Sequence, residues 1–249
     1  MTLLLIILFS FSGSIAVFVS AIIFSVLTRK DEEKIIASLL SFAIGTLLGA
    51  AFLVLIPESL ENLSPQKSLA AVLAGVILFF ILEKLVIWRH CHDTDCHQHN
   101  SAGLMILVGD AFHNFIDGAL IAAGFLISPK IGIVIGLTII AHEIPQEVGE
   151  FAILLKSGYK KTKALFLNLL SSLAAILGAI IGYFALEKLK FIVPYVIAFS
   201  AASFIYVALA DLSPELHKKT SIRHSISQVI LIGLGIATII FLMQYHHDI

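Results

Sequence analysis

The chain has 249 residues, of which 59% are hydrophobic and 13% charged, and its formal net charge is −1. A soluble domain of this size would need many more charges to cover its surface, so the apolar excess is expected to face lipid. The near-neutral balance leaves no basic footprint for nucleic acid, which is not expected as a partner.

Taken in chain order, the first apolar run extends from Leu3 to Leu27 with no basic residue before it. A cleavable signal wants a positive start and a shorter apolar run, so this segment reads as a span that stays. A window of about 20 residues, the length that crosses a hydrocarbon core, fits eight times. The spans fall at roughly 3–27, 35–57, 68–88, 102–127, 131–155, 163–186, 191–213 and 226–245. The predicted fold class is therefore an all-α polytopic membrane protein with eight transmembrane helices, a single transmembrane domain over 1–249. Pro57, Pro65, Pro129 and Pro214 read as span ends, where a helix can stop without orphaning backbone groups in lipid. Pro145 lies well inside the fifth span, where it should free the Ala141 carbonyl and kink the helix. Gly45 with Gly49, Gly132 with Gly136 and Gly178 with Gly182 have the spacing that lets helix backbones approach closely.

Twelve of the sixteen Lys and Arg residues sit at the odd-numbered connections, four at the even ones and none at the termini. That bias places the odd connections in the cytoplasm and both termini outside. The third connection, at 89–101, reads as a cytoplasmic His/Cys-rich loop: four His and both cysteines, Cys91 and Cys96, fall between Arg89 and His99. Such a composition suits transient capture of a soft divalent ion, or simply a polar linker.

The fourth span carries G-D-A-F-H-N-F-I-D-G at 109–118, and the fifth A-H-E-I-P-Q-E-V-G-E at 141–150. An ionisable side chain in hydrocarbon costs about 2.5–3.5 kcal/mol on insertion scales, so these groups are expected to face the bundle interior, paired or ligated. Helical spacing sorts them into stripes: Asp110, His113, Asn114 and Asp117 on one helix, His142, Glu143, Gln146 and Glu147 on the other. The short turn around Ser128 to Lys130 makes the two helices antiparallel neighbours. His113 and His142 each lie about 11 residues, or about 16 Å, into their spans, so both stripes should meet near the midplane of a roughly 30 Å core. Imidazoles with carboxylates and amide oxygens suit Zn²⁺, Fe²⁺, Mn²⁺ or Cd²⁺, and the absence of thiols argues against copper(I). The groups present could supply two adjacent metal positions with a carboxylate bridging them. Asp110 alone is better placed to orient His113 than to ligate.

Two other readings compete. The stripes could be interhelical hydrogen bonds that only glue the bundle, although individually weak contacts need not be so many. H-E-x-x-H on a helix marks zinc proteases, with Glu as general base. Here the fifth position is Gln146 and a proline precedes it. A zinc-dependent intramembrane metalloprotease with a degenerate motif is therefore the alternative.

At these residues the chain resembles the ZIP (Zrt- and Irt-like) family of divalent-metal transporters. H-N-F-I-D-G resembles that family's fourth-helix motif, and H-E-I-P-Q-E-V-G-E the fifth-helix motif of the branch that usually reads H-E-x-P-H-E. Flanking runs agree: F-A-I-L-L-K-S-G-Y from 151, N-L-L-S-S-L from 168 and F-I-Y-V-A-L-A-D-L-S-P-E from 204, so the likeness covers roughly 36 to 219. The resemblance implies a protein that is not an enzyme and that carries Zn²⁺ or a similar divalent ion across the plasma membrane into the cytoplasm. It also implies a two-metal site lined by His113, Asn114, Asp117, His142, Glu143 and Gln146, with Asp117 bridging and Glu147 on the exit path. Gln146 stands where His or Glu is commoner, and Val54 where this branch often has His, so the metal order stays open. Divalent ions and the bilayer are the expected partners, with a homodimer as a candidate assembly. Asn168, Ser171 and Ser172 could add oxygen ligands or only hydrogen bonds. Asp211, Glu215 and His217 fall where an exit route or ordinary anchoring would put them.

Overall fold

The computed structural model describes residues 1–26, 29–90, 98–217 and 221–247. Metal capture by the His/Cys-rich connection falls on side chains outside those described. Among the described residues there is no strand, and eight helical stretches are long and apolar enough to cross a membrane. They are Thr2–Phe24, Lys34–Leu60, Pro65–Leu85, Ile106–Ile127, Pro129–Lys156, Lys161–Lys188, Lys190–His217 and Ile222–Gln244, numbered here as spans 1 to 8. Each overlaps its predicted counterpart.

Two spans are interrupted in ways the apolar windows do not reveal. Span 1 is built of helices Thr2–Ser10 and Ser12–Val26, and span 6 of Lys161–Ser172 and Ala174–Lys188 joined at Leu173. Spans 2 and 7 correct the reading of Pro57 and Pro214 as helix ends. Each span passes through a wider π turn, Ala51–Leu55 and Val207–Leu212, and then continues as helix over Ile56–Leu60 and Ser213–His217. A proline has no N–H to give, and its ring collides with the carbonyl four residues back. In both spans the residue just before the proline instead bonds five residues back, Ile56 to the Ala51 oxygen and Ser213 to the Ala208 oxygen. That wider turn gives the ring its room. Around Pro145 the helix of span 5 runs from Pro129 to Lys156 as one element, started by Ser128, whose hydroxyl accepts from the Ile131 N–H.

Span 4 packs most extensively on span 6, and also touches spans 5 and 7; span 5 touches spans 1 and 2, and span 8 lies against span 2. Glycine makes the tightest of these contacts. A methyl group on Gly118 would stand 1.8 Å from the Ala175 carbonyl oxygen, and one on Gly178 1.8 Å from the Phe115 oxygen. Spans 4 and 6 thus meet backbone to backbone, the outcome the small-residue spacing of Gly178 and Gly182 predicts. That contact fixes span 4, and with it the polar stripe, inside the bundle.

Candidate metal centre

Every polar residue of the two stripes is buried: Asp110, His113, Asn114, Asp117, His142, Glu143, Gln146 and Glu147, and also Glu150. Spans 4 and 5 bring four of them together. One ligand atom from each of His113, Asp117, His142 and Glu143 lies within 4.8 Å of every other.

Hydrogen bonds fix the orientation of these side chains and which of their atoms stay free. The Nδ1 of His142 is 3.1 Å from the Thr138 carbonyl oxygen, one turn back on the same helix. A carbonyl only accepts, so Nδ1 carries the proton, and Nε2 of the neutral ring presents a lone pair. That Nε2 stands 3.1 Å from Asp117 Oδ2, which is also an acceptor when ionised. Two facing lone pairs at this distance repel unless positive charge, a proton or a metal ion, sits between them. His113 is held at Nδ1 by Ser203 Oγ, 2.8 Å away on span 7. Its Nε2 has no hydrogen-bond partner and lies 3.6 Å from the same Asp117 oxygen. Tetrahedral ligands at Zn–N distances of about 2.0–2.1 Å stand about 3.3 Å apart, so separations of 3.1 and 3.6 Å suit a bound ion.

The walls are dry. The two imidazole centroids are 5.5 Å apart, and the ring of Phe204 meets both edge-on, at 5.7 Å from His113 and 4.7 Å from His142. Apolar packing of this kind removes water as a competing ligand and raises the cost of leaving the carboxylates without a cation. Span 1 closes the other side at Gly13. A methyl group there would come within 3.2 Å of Glu143 Oε2 and 3.3 Å of Asn114 Oδ1. The backbone comes this close because there is no side chain to hold it off.

Next to the cluster lies a layer of amides and carboxylates. Asn114 Nδ2 donates to Asp110 Oδ1 at 2.8 Å, Gln146 Nε2 to Glu150 Oε1 at 3.0 Å, and Asn168 Nδ2 to Glu147 Oε2. Asp110 therefore orients Asn114, not His113 as the spacing suggested; Ser203 is what holds His113. Of the polar residues expected on span 6, Asn168 reaches this layer, while Ser172 pairs with Ser14 of span 1 at 3.2 Å. From Asp110, Gln146 and Glu150 a cavity of about 310 Å³ extends past Glu83, Tyr206 and Asp211 to Glu215. Tyr206 donates its hydroxyl proton to Glu83 there. Glu58, near the C-terminal end of span 2, is half-buried, and Glu61, just beyond that span, is exposed.

Ser203, Phe204 and Gly13 were not expected at the site. A single serine or phenylalanine in an apolar span carries no helical-spacing signal. Gly13 is one small residue among many in span 1.

An all-helical, eight-span bundle with imidazole and carboxylate groups converging between two antiparallel spans defines the class: a multi-pass membrane protein with a buried cluster of side chains that could hold a metal ion. The family model described as ZIP Zinc transporter matches residues 1–91 and 88–243, and the chain belongs to that family. Zinc transporter ZIP13 of Pongo abelii is 33% identical over 219 residues, 81% of this chain and 65% of the relative. Zinc transporter ZIP13 of Mus musculus is 30% identical over 83% of this chain and 70% of its own length. The Zinc transporter ZIP13 homolog of Drosophila melanogaster is 28% identical over 96% of this chain and 90% of its own. The chain thus spans slightly less than two thirds of the Pongo abelii relative. These relatives are named as transporters and not as enzymes, and the metalloprotease alternative finds no support.

Proposed function

We propose that the chain carries a divalent metal ion, zinc first among Zn²⁺, Fe²⁺, Mn²⁺ and Cd²⁺, across the plasma membrane into the cytoplasm. The observation that carries this reading is the convergence of His113, Asp117, His142 and Glu143 within 4.8 Å in a buried interior. Membership of a zinc transporter family supports the same cargo. Two ions fit the donor set: one between the imidazoles and Asp117, and a second towards Asn114, Glu143 and Gln146, with a carboxylate shared. Asp117 is the natural bridge, because its Oδ2 lies near both imidazoles and its Oδ1 has no hydrogen-bond partner. Glu147 lies beside the route by which the ion leaves.

Direction rests on charge. The cavity ends near Glu83 and Glu215, beside the connections that hold Lys84, Lys156 and Arg223. The excess of basic residues marks that side as cytoplasmic and leaves both termini outside. An acidic vestibule on that side favours release of a cation inwards.

Uptake into proteoliposomes containing a zinc-responsive dye tests the reading. Wild-type protein should fill the vesicles, and His113→Ala or Asp117→Ala should reduce the rate to the leak of empty liposomes. Wild-type rates in both variants would refute a transport site at this cluster.

A further inference from the structure

Three amides beside the cluster share one arrangement. Asn114, Gln146 and Asn168 each give their NH₂ group to a buried carboxylate, Asp110, Glu150 and Glu147 respectively. Only the nitrogen end of an amide can donate to a carboxylate, so each pair fixes which way its amide points. In each case the other end is left over: Asn114 Oδ1, Gln146 Oε1 and Asn168 Oδ1 are buried with no hydrogen-bond partner. Buried polar atoms are normally paired, and a network that satisfies half of every amide is a poor packing device. Three oxygens left open in the same way indicate that their partner is a cation. For Asn114 the direction is explicit. Its Oδ1 and Glu143 Oε2 both lie within 3.3 Å of the point where a methyl on Gly13 would be. Its free oxygen therefore converges with a member of the ligand cluster.

We propose that Asp110, Glu150 and Glu147 are positioning residues that hold the amides of Asn114, Gln146 and Asn168 with their oxygens, not their nitrogens, presented to the divalent ion. The inference rests on the transport-site reading above and refines it. The second oxygen of each carboxylate, Asp110 Oδ2, Glu150 Oε2 and Glu147 Oε1, is also without a hydrogen-bond partner. The inverted pairs below are therefore what separate a carboxylate acting through its amide from one that holds the ion. The role of Gln146 changes accordingly: with Glu150 one turn away, a glutamine becomes a fixed neutral oxygen donor. Neutral oxygens added to an imidazole–carboxylate cluster favour ions that accept oxygen ligands, Mn²⁺ among them, without adding negative charge.

The test uses the full chain, purified and placed in lipid nanodiscs, with Zn²⁺ and Mn²⁺ binding followed by calorimetry and folding by thermal melting. Asp110→Asn, Glu150→Gln and Glu147→Gln keep shape and volume. Two facing amides, however, pair equally well in either orientation, so the lock is lost. Each should weaken Mn²⁺ binding about 10- to 100-fold, and Zn²⁺ binding less, at an unchanged melting midpoint. The inverted pairs, Asp110→Asn with Asn114→Asp and Glu150→Gln with Gln146→Glu, restore one fixed donor and one oxygen facing the ion. They should recover binding to within about threefold of wild type, well inside the loss caused by the single changes. Wild-type affinity in all three single variants would overturn the proposal. So would single variants that lose binding with inverted pairs that do not recover it, since the carboxylates would then be needed as carboxylates. Asp117→Asn separates the two levels. If it too binds as wild type, the site reading fails; if it alone loses the ion, only the positioning role fails.

Discussion

Spans 4 and 5 differ from spans 3 and 8 in a way that reverses the habit of soluble proteins. In each of spans 4 and 5, 61% of the most apolar stretch is buried, yet these two are the least apolar of the eight. Spans 3 and 8 are only 17% and 11% buried and are strongly apolar. Leu73, Phe80, Val229 and Phe241 all face outwards. Lipid is as good a solvent for leucine as any core, so apolarity does not pull a helix inwards; polar side chains do, because they have no other place to be satisfied. Span 2 limits the rule. It is as apolar as span 8 but 61% buried, held in by the close approach of Gly45 to the Ile232 backbone of its neighbour. Polarity and small residues are thus two separate routes to the interior, and the imidazole–carboxylate cluster uses both.

The sharpest way to break the contrast is to make the inside of span 4 look like the outside. Replacing His113 and Asp117 together by leucine should abolish vesicle uptake while leaving the melting midpoint unchanged or higher, because a buried polar set exchanged for apolar groups is often stabilising. A lower midpoint would show that the stripe serves folding. The reverse change puts an outside position under the same cost. Leu234→Asp, at the exposed middle of span 8, should disfavour insertion by about 2.5–3.5 kcal/mol and cut the yield of membrane-inserted protein. Wild-type yield would mean that this face is not in lipid.

Glycine offers a matched pair. Gly178→Ala forces a methyl into the Phe115 carbonyl and should destabilise by about 3 kcal/mol, seen as lost monodisperse protein. Gly233→Ala on span 8 meets nothing within 4 Å and should be neutral or stabilise by about 0.5–1 kcal/mol. Between these lies Ser203→Ala, which releases the His113 ring without touching the ion. It should weaken Zn²⁺ binding about tenfold in a calorimetric titration at unchanged stability. An unchanged affinity would show that packing against Phe204 is enough to hold the ring.

What could be read before any coordinates follows the same division. Eight spans and the polar stripes were legible because a charge inside an apolar window is costly and helical spacing then fixes its face. Spacing also placed His113, Asp117, His142 and Glu143 on facing stripes, and the structure brings them together. Whatever depended on contact between distant spans was not legible. Nothing local tells that Ser203 will reach His113 or that Gly13 will abut Glu143. The bond from Asn114 to Asp110 is different: it spans one turn of the same helix, a spacing the sequence does display. Pro57 and Pro214 misled for a related reason. A proline signals a conflict in the hydrogen-bond ladder, but a π turn and a helix end resolve it equally well, and packing decides between them.

The central claim is that an imidazole–carboxylate cluster in the bundle interior holds the ion. X-ray absorption at the zinc edge, on purified protein loaded with one equivalent of Zn²⁺, addresses it directly. The account predicts a nitrogen/oxygen shell at about 2.0–2.1 Å with outer scattering from two imidazoles, lost in the His113→Ala, His142→Ala double variant. A sulfur shell near 2.3 Å, or a spectrum that the double variant leaves unchanged, would contradict it.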